Sequence, residues 1–152
     1  MTQSQQQATL QNPPQDDIAA LVNLYQSGQM LQAERACREL LRTYPQSLTV
    51  MNVLGAALSG QGKLKESIQV FDRAIQIEPD SAEAYSNRGA VLKQLGQLDE
   101  VLKNYNKAIQ LKPEFAEAYS KRGATLQELG RVEEALESYN KAIQLKPDFA
   151  EA

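Results

Sequence analysis

AEAYSNRGAVLKQLGQLDEVLKNYNKAIQLKPEF, residues 82–115, runs without a gap into AEAYSKRGATLQELGRVEEALESYNKAIQLKPDF, residues 116–149, and 23 of the 34 aligned positions are identical. Residues 48–81 follow the same template with more substitutions, and residues 14–47 follow it loosely. Two structure-breaking residue types keep the step: Pro45, Pro79, Pro113 and Pro147, and Gly28, Gly62, Gly96 and Gly130. Independent breakers that share one period identify a tandem repeat. Repeats of this size stack into extended binding surfaces and seldom enclose a site for chemistry.

Within one unit the apolar residues change phase once. Ala84, Tyr85, Val91, Leu92 and Leu95 recur largely at helical spacing, and Gly96 supplies the left-handed residue that closes a helix. Leu98, Val101, Leu102, Tyr105, Ala108, Ile109 and Leu111 form a second helical pattern, which Pro113 ends. So short a loop makes the two helices antiparallel. The pattern predicts helices near 16–27, 30–43, 48–60, 64–77, 82–95, 98–111, 116–128 and 132–145. With Leu48, Ala82 and Ala116 as position 1, Gly55, Gly89 and Gly123 occupy position 8, where mid-helix glycine costs about 1 kcal/mol relative to alanine. Close contact with a small residue at position 20 of the partner helix (Ala33, Ser67, Ala135) is the expected compensation. Val101 breaks that rule, and strain or a slight splay is expected there, since overpacking costs roughly 1–3 kcal/mol.

Composition narrows the function classes. The chain has 152 residues, 42% hydrophobic and 23% charged, with a formal net charge of −3. So weak a negative balance gives no attraction for nucleic acid or an anionic membrane. No stretch approaches the roughly 20 apolar residues of a membrane helix. Residues 1–13, rich in Gln, Ser and Thr, are expected to form a disordered tail; they lack the charge and apolar pattern of a secretory signal, so a cytoplasmic location is expected. Histidine is absent, which removes the commonest metal ligand and the usual general base near neutral pH. Cys37, the single cysteine, excludes an internal disulfide. No cofactor, metal or catalytic group is expected.

Met51, Leu54, Gly55, Leu58, Ser67, Phe71, Ala74 and Pro79 in one unit carry a known signature. Tyr85, Gly89, Leu92, Tyr105, Ala108 and Pro113 carry it in the next, and Tyr119, Gly123, Leu126, Ala135, Tyr139, Ala142 and Pro147 in the last. On these residues the chain resembles the tetratricopeptide repeat family over residues 14–149. The resemblance implies an all-α, right-handed superhelical α-solenoid of four helix-turn-helix repeats: 14–47, 48–81, 82–115 and 116–149. Residues 14–47 are expected to be a degenerate cap: Asp17, Leu21 and Cys37 replace the large residue, the glycine and the aromatic. Arg88 and Arg122 replace the expected Leu at position 7, where their stems are expected to cover apolar surface while the guanidinium reaches water. Residues 150–152 resume the pattern of 116–118, so they are expected to begin an incomplete further repeat and to leave the last apolar stripe (Tyr139, Ile143, Phe149) uncovered.

The resemblance also implies that the first helix of each unit lines a concave groove through positions 2, 5, 6, 9, 12 and 13. The partner-binding candidates are then Asn52, Ala56, Glu83, Ser86, Asn87, Ala90, Lys93, Glu117, Ser120, Lys121, Ala124 and Gln127. A floor of alanines between polar walls suits a peptide or a helical segment of a partner protein. A clamp for chaperone C-terminal carboxylates does not fit, because its five positions hold Asn52, Ala56, Asn87, Glu117 and Lys121. An asparagine ladder at position 6 does not fit either, because that position reads Ala19, Val53, Asn87 and Lys121. Asp99-Glu100 and Glu133-Glu134 fall in first helical turns, where carboxylates complement the helix dipole. Cys37 is expected to be a buried, inert thiol, and the tyrosine column to be packing. The leading reading is a non-catalytic protein-interaction module. The alternatives are a docking region or fragment of a larger enzyme, glycosyltransferase- or sulfotransferase-like, and a repeat that self-associates through its uncapped C-terminal unit.

Overall fold

The structure, a computed structural model, describes residues 12–146. Among these residues lie eight α-helices and no strand: α1 (Gln15–Gln26), α2 (Met30–Thr43), α3 (Leu48–Gly60), α4 (Leu64–Ile77), α5 (Ala82–Gln94), α6 (Leu98–Leu111), α7 (Ala116–Glu128) and α8 (Val132–Leu145). Every boundary falls within one residue of the one the pattern predicts, and the fold is an all-α repeat. The partial repeat at 150–152, with Pro147 and Phe149, and residues 1–11 of the expected tail lie outside the described residues. Asn12 and Pro13, also expected in that tail, belong to the packed part: Pro13 is buried, and Ser47 Oγ donates to Asn12 Oδ1 at 2.7 Å.

The chain divides into two compact units, Met1–Pro79 and Asp80–Ala152, each holding two helix pairs. In the first unit Leu21, Cys37, Val50, Leu54 and Leu58 form one buried cluster on α1, α2 and α3. In the second, Ala82, Ala108 and Ala118 form one cluster, and Leu102, Leu126 and Ala135 form another.

The turn inside each pair is the same device four times. Gly28, Gly62, Gly96 and Gly130 have φ of 78°, 78°, 76° and 76°, and no other described residue has positive φ. The amide after each glycine reaches back to the carbonyl five residues earlier: Gln29 to Leu24, Lys63 to Leu58, Gln97 to Leu92 and Arg131 to Leu126, at 2.9–3.2 Å. This is the Schellman closure, which satisfies carbonyls that the helix end leaves open. Ser47 and Ser81 start α3 and α5 by accepting from Val50 N and Ala84 N, both at 3.3 Å.

The mid-helix glycines meet a different partner from the one the sequence suggested. A Cβ on Gly55 would fall 2.3 Å from Phe71 Cζ, one on Gly123 2.9 Å from Tyr139 Cε1, and one on Gly89 3.1 Å from Tyr105 Cε1. The glycine therefore makes room for the ring at position 24, not for a small residue at position 20. Position 20 still tunes the approach, since the gap widens from Ser67 through Ala135 to Val101. Val101 is wholly buried with no backbone outlier beside it, so a splay of under 1 Å accommodates it. In the first pair Leu21 and Cys37 exchange the volumes: a large residue stands where later pairs have glycine, and a small one where they have a ring.

Candidate functional site

In a helix, positions three and four apart share a face, so positions 2, 5, 6, 9, 12 and 13 form one stripe and the apolar positions form another. On α5 and α7 the apolar stripe is buried through Ala84, Val91 and Leu92, and through Ala118, Tyr119 and Leu126. The candidate residues occupy the other side. Asn87, Ala90 and Lys93 on α5, and Ser120, Lys121 and Ala124 on α7, are half-buried, while Glu83, Glu117 and Gln127 are exposed. Ser86 differs: it is 1% exposed, and its hydroxyl has no hydrogen-bond partner, so it presents no free surface. In the first unit Asn52 and Ala56 on α3 are half-buried, and Asn52 Oδ1 is also without a partner.

The charges on this face of the second unit are internally balanced. Lys93 Nζ on α5 pairs with Glu128 Oε1 on α7 at 3.0 Å, which brings the two helices together at one end. Lys121 Nζ pairs with Glu117 Oε1 at 2.9 Å along α7, and Lys112 Nζ pairs with Glu83 Oε1 at 3.3 Å. Gln127 accepts a hydrogen bond from Tyr139 Oη at 3.2 Å. The alanines and Asn87 thus lie among ion pairs and not beside an unopposed charge. A strongly acidic or basic ligand would have to break pairs to bind.

A second concavity of about 180 Å³ opens between α6, α7 and α8, with Arg122 and Ser138 in its wall. Arg122 Nε donates to Ser138 Oγ at 3.0 Å, Nη1 donates to Asn106 Oδ1 at 3.0 Å, and the guanidinium lies 5.2 Å from the centre of the Tyr119 ring. Arg88 has the same place in its repeat, donating from Nε to Asn104 Oδ1 at 2.8 Å, 5.2 Å from the Tyr85 ring. Both position-7 arginines are therefore held by side chains of the neighbouring helices, where the sequence suggested only a charge reaching water. Burial pulls the pKa of Arg122 below its ordinary value, while Tyr119, Glu134 and Glu137 oppose that. Arginines and glutamates share this small space, so it favours neither sign of ligand.

Sequence reasoning missed the polar hub of the first unit. Glu34 on α2 is buried and accepts from Arg38 Nε at 2.8 Å, Lys63 Nζ at 2.9 Å and Gln61 Nε2 at 2.9 Å. These bonds, Arg38's and Lys63's above all, hold the Glu34 carboxyl down at about 2 despite burial. The Glu34/Arg38 spacing was legible as a helical pair; Lys63 and Gln61 reach it only through the turn between α3 and α4. Cys37 is wholly buried, and burial pushes its thiol up to about 12, so it is not a nucleophile at neutral pH. Asp99, Glu100, Glu133 and Glu134 stand in first helical turns. Among the described residues no three His, Cys, Asp or Glu side chains are grouped to hold a metal ion, and no helix is long and apolar enough to cross a membrane.

Paired helices closed by glycine turns, with one polar face left open, define an α-helical repeat protein of the interaction-surface class. A TPR-repeat family model matches residues 55–96 and 91–130, and a tetratricopeptide-repeat model matches residues 116–149. The chain belongs to the tetratricopeptide repeat family. No curated protein matches it significantly. Among solved structures, it is similar to TTC0263, a thermophilic TPR protein in Thermus thermophilus, at 24% identity and a TM-score of 0.81, over 90% of this chain and 75% of that one. A crystal structure of MamA matches at 24% identity and a TM-score of 0.75, over 90% of this chain and 80% of that one. MamA 41-end from Desulfovibrio magneticus RS-1 matches at 24% identity and 0.69, over 87% and 77%. At this identity the likeness shows the fold alone. The family's general role is protein–protein interaction.

Proposed function

We propose that the chain is a non-catalytic binding module that holds a peptide or helical segment of a partner against the α5 and α7 faces. Asn87, Ala90 and Lys93, with Ser120, Lys121 and Ala124, form the seat. The observation that carries this reading is the pair of half-buried alanines, Ala90 and Ala124, in a face whose charges are paired off by Lys93–Glu128 and Lys121–Glu117. Small residues let a backbone approach closely, and balanced charge favours a segment of low net charge bound through apolar and hydrogen-bonding contacts. Asn87 supplies an amide able to pair with a ligand backbone. Asn52 and Ala56 have the same positions on α3 and form the corresponding seat of the first unit.

Selection from a random peptide display library, counter-selected against Ala90→Arg and Ala124→Arg variants of unchanged helicity, tests the reading. Enriched peptides should lose binding to Asn87→Ala by roughly tenfold, about 1.4 kcal/mol. They should also protect α5 and α7 amides from hydrogen exchange. No enrichment, or peptides that bind the arginine variants equally well, would overturn it.

A further inference from the structure

We propose that the outer face of α8 is a docking site for a helix with the side-chain pattern of α7, supplied by a partner; this stands apart from the groove reading. The argument rests on two helices of the same unit, α6 and α8, which carry the same residues at matching positions: Leu102 and Leu136, Tyr105 and Tyr139, Asn106 and Asn140, Ile109 and Ile143. On α6 this face is covered. Leu102 is 8% exposed and clusters with Leu126 of α7, while Ala108 and Ile109 cluster with Phe115 and Ala118. On α8 the same face is open: Leu136 is 59% exposed, Ile143 40% and Val132 65%. An apolar ridge of this length, one residue per turn, is what a partner helix buries.

The chemistry of the occupant follows from what α7 brings to α6. It places Phe115, Ala118 and Leu126 on the ridge, and its Arg122 donates to Asn106 Oδ1 at 3.0 Å, a polar contact that fixes register. Asn140, exposed on α8, is the matching acceptor. The sequence repeats the opening of this pattern, since Phe149-Ala150-Glu151-Ala152 reproduces Phe115-Ala116-Glu117-Ala118. A second copy of the chain does not fit through its first helix. In α1, the positions of Ala118, Tyr119 and Arg122 hold Asp16, Asp17 and Ala20. Stacking α1 on α8 would press two carboxylates onto the ridge and leave Asn140 without its arginine, and buried unpaired charge is costly. The occupant is thus a helix reading aromatic, small, small-aromatic, then Arg and Leu, and not the acidic α1.

A capped peptide copying residues 113–130 is the probe, with a second version locked helical by a lactam between its Glu117 and Lys121 positions. The lock matters because a helix this short is marginal alone, so the free peptide should bind only in roughly the micromolar-to-millimolar range. Binding should be saturable, tighter for the locked peptide, and weakened at least about tenfold by Leu136→Glu or Ile143→Glu in the chain. Both substitutions are at exposed positions, and unchanged circular dichroism would show that the fold is kept. Asn140→Ala should weaken binding about threefold, with no further loss when the peptide carries Arg122→Ala. The proposal is overturned if the locked peptide does not bind at millimolar concentration, or if binding survives Leu136→Glu. Loss on Ala90→Arg with Leu136→Glu harmless would move the peptide to the groove, and a concentration-dependent dimer that excludes the peptide would give the face to a second copy; either outcome also overturns it.

Discussion

The first helix pair and the three later pairs reach one fold by opposite distributions of volume and charge. Later pairs place glycine on the first helix and a ring on the second: Gly55 with Phe71, Gly89 with Tyr105, Gly123 with Tyr139. The first pair places Leu21 and Cys37 at those two positions, both buried. One step further along the second helix, later repeats have Ile68, Leu102 and Leu136, whereas the first has Glu34 with Arg38, Lys63 and Gln61 around it. The repeat thus specifies a summed volume between paired helices, not particular residues, and the contact between successive pairs can be apolar or ionic.

The most severe way to break this equivalence is Leu21→Gly. Losing a buried leucine costs about 2–5 kcal/mol, and mid-helix glycine adds about 1 kcal/mol. If volume is what the pair conserves, Cys37→Phe in the same chain should recover at least half of that loss in urea unfolding. Strict additivity of the two substitutions would show that the pairs are not interchangeable.

Filling the later glycines sharpens the comparison. Gly55→Ala should be the worst, about 2–3 kcal/mol, because its Cβ would lie 2.3 Å from a fully buried ring. Gly123→Ala, at 2.9 Å from Tyr139, should cost less. Gly89→Ala, at 3.1 Å from Tyr105, should be near neutral, since alanine gains about 1 kcal/mol of helix propensity. Thermal midpoints that break the order Gly55, Gly123, Gly89 would sever the glycine from its ring.

Glu34→Gln tests the ionic contact. Its carboxyl has a folded pKa of about 2 against an ordinary 4.5, so its contribution is complete above roughly pH 5 and is lost as pH falls through 2. With Arg38 half exposed, the gain is about 2 kcal/mol at neutral pH rather than the full value of the shift. Wild type and Glu34→Gln should therefore differ at pH 7 and converge near pH 2 in chemical denaturation. A constant difference across that range would mean that the loss is steric.

How much of this was legible follows from what a period can carry. Prolines and glycines 34 residues apart placed all eight helices, because each acts on its own backbone. The period also identified equivalent positions, and with them Leu21 and Cys37 as departures. It does not say which equivalent positions touch across a helix pair, so Gly89 was matched with Val101 when its Cβ position faces Tyr105 and Asn104. The Glu34 hub and the Arg122–Ser138 and Arg88–Asn104 bonds were missed for the same reason: their partners lie 16 to 29 residues away on other helices or turns. On the candidate face the helical stripe was readable, but the burial of Ser86 and the pairing of Lys93 with Glu128 depend on neighbouring helices.

The smallest expected effect separates strain from splay in the third pair. Val101 is the bulkiest residue at position 20, and Gly89 stands farthest from its ring. If the helices have simply moved apart to admit it, Val101→Ala removes two buried methyl groups, about 1.6 kcal/mol, and regains about 0.5 kcal/mol of helix propensity. The net loss is about 1 kcal/mol, a drop of a few degrees in melting temperature for a chain of this size. Relief of strain would raise the melting temperature instead. The sign alone decides, and a rise would mean that the pair is held closer than valine allows, by its turn at Gly96 and the Arg88–Asn104 bond.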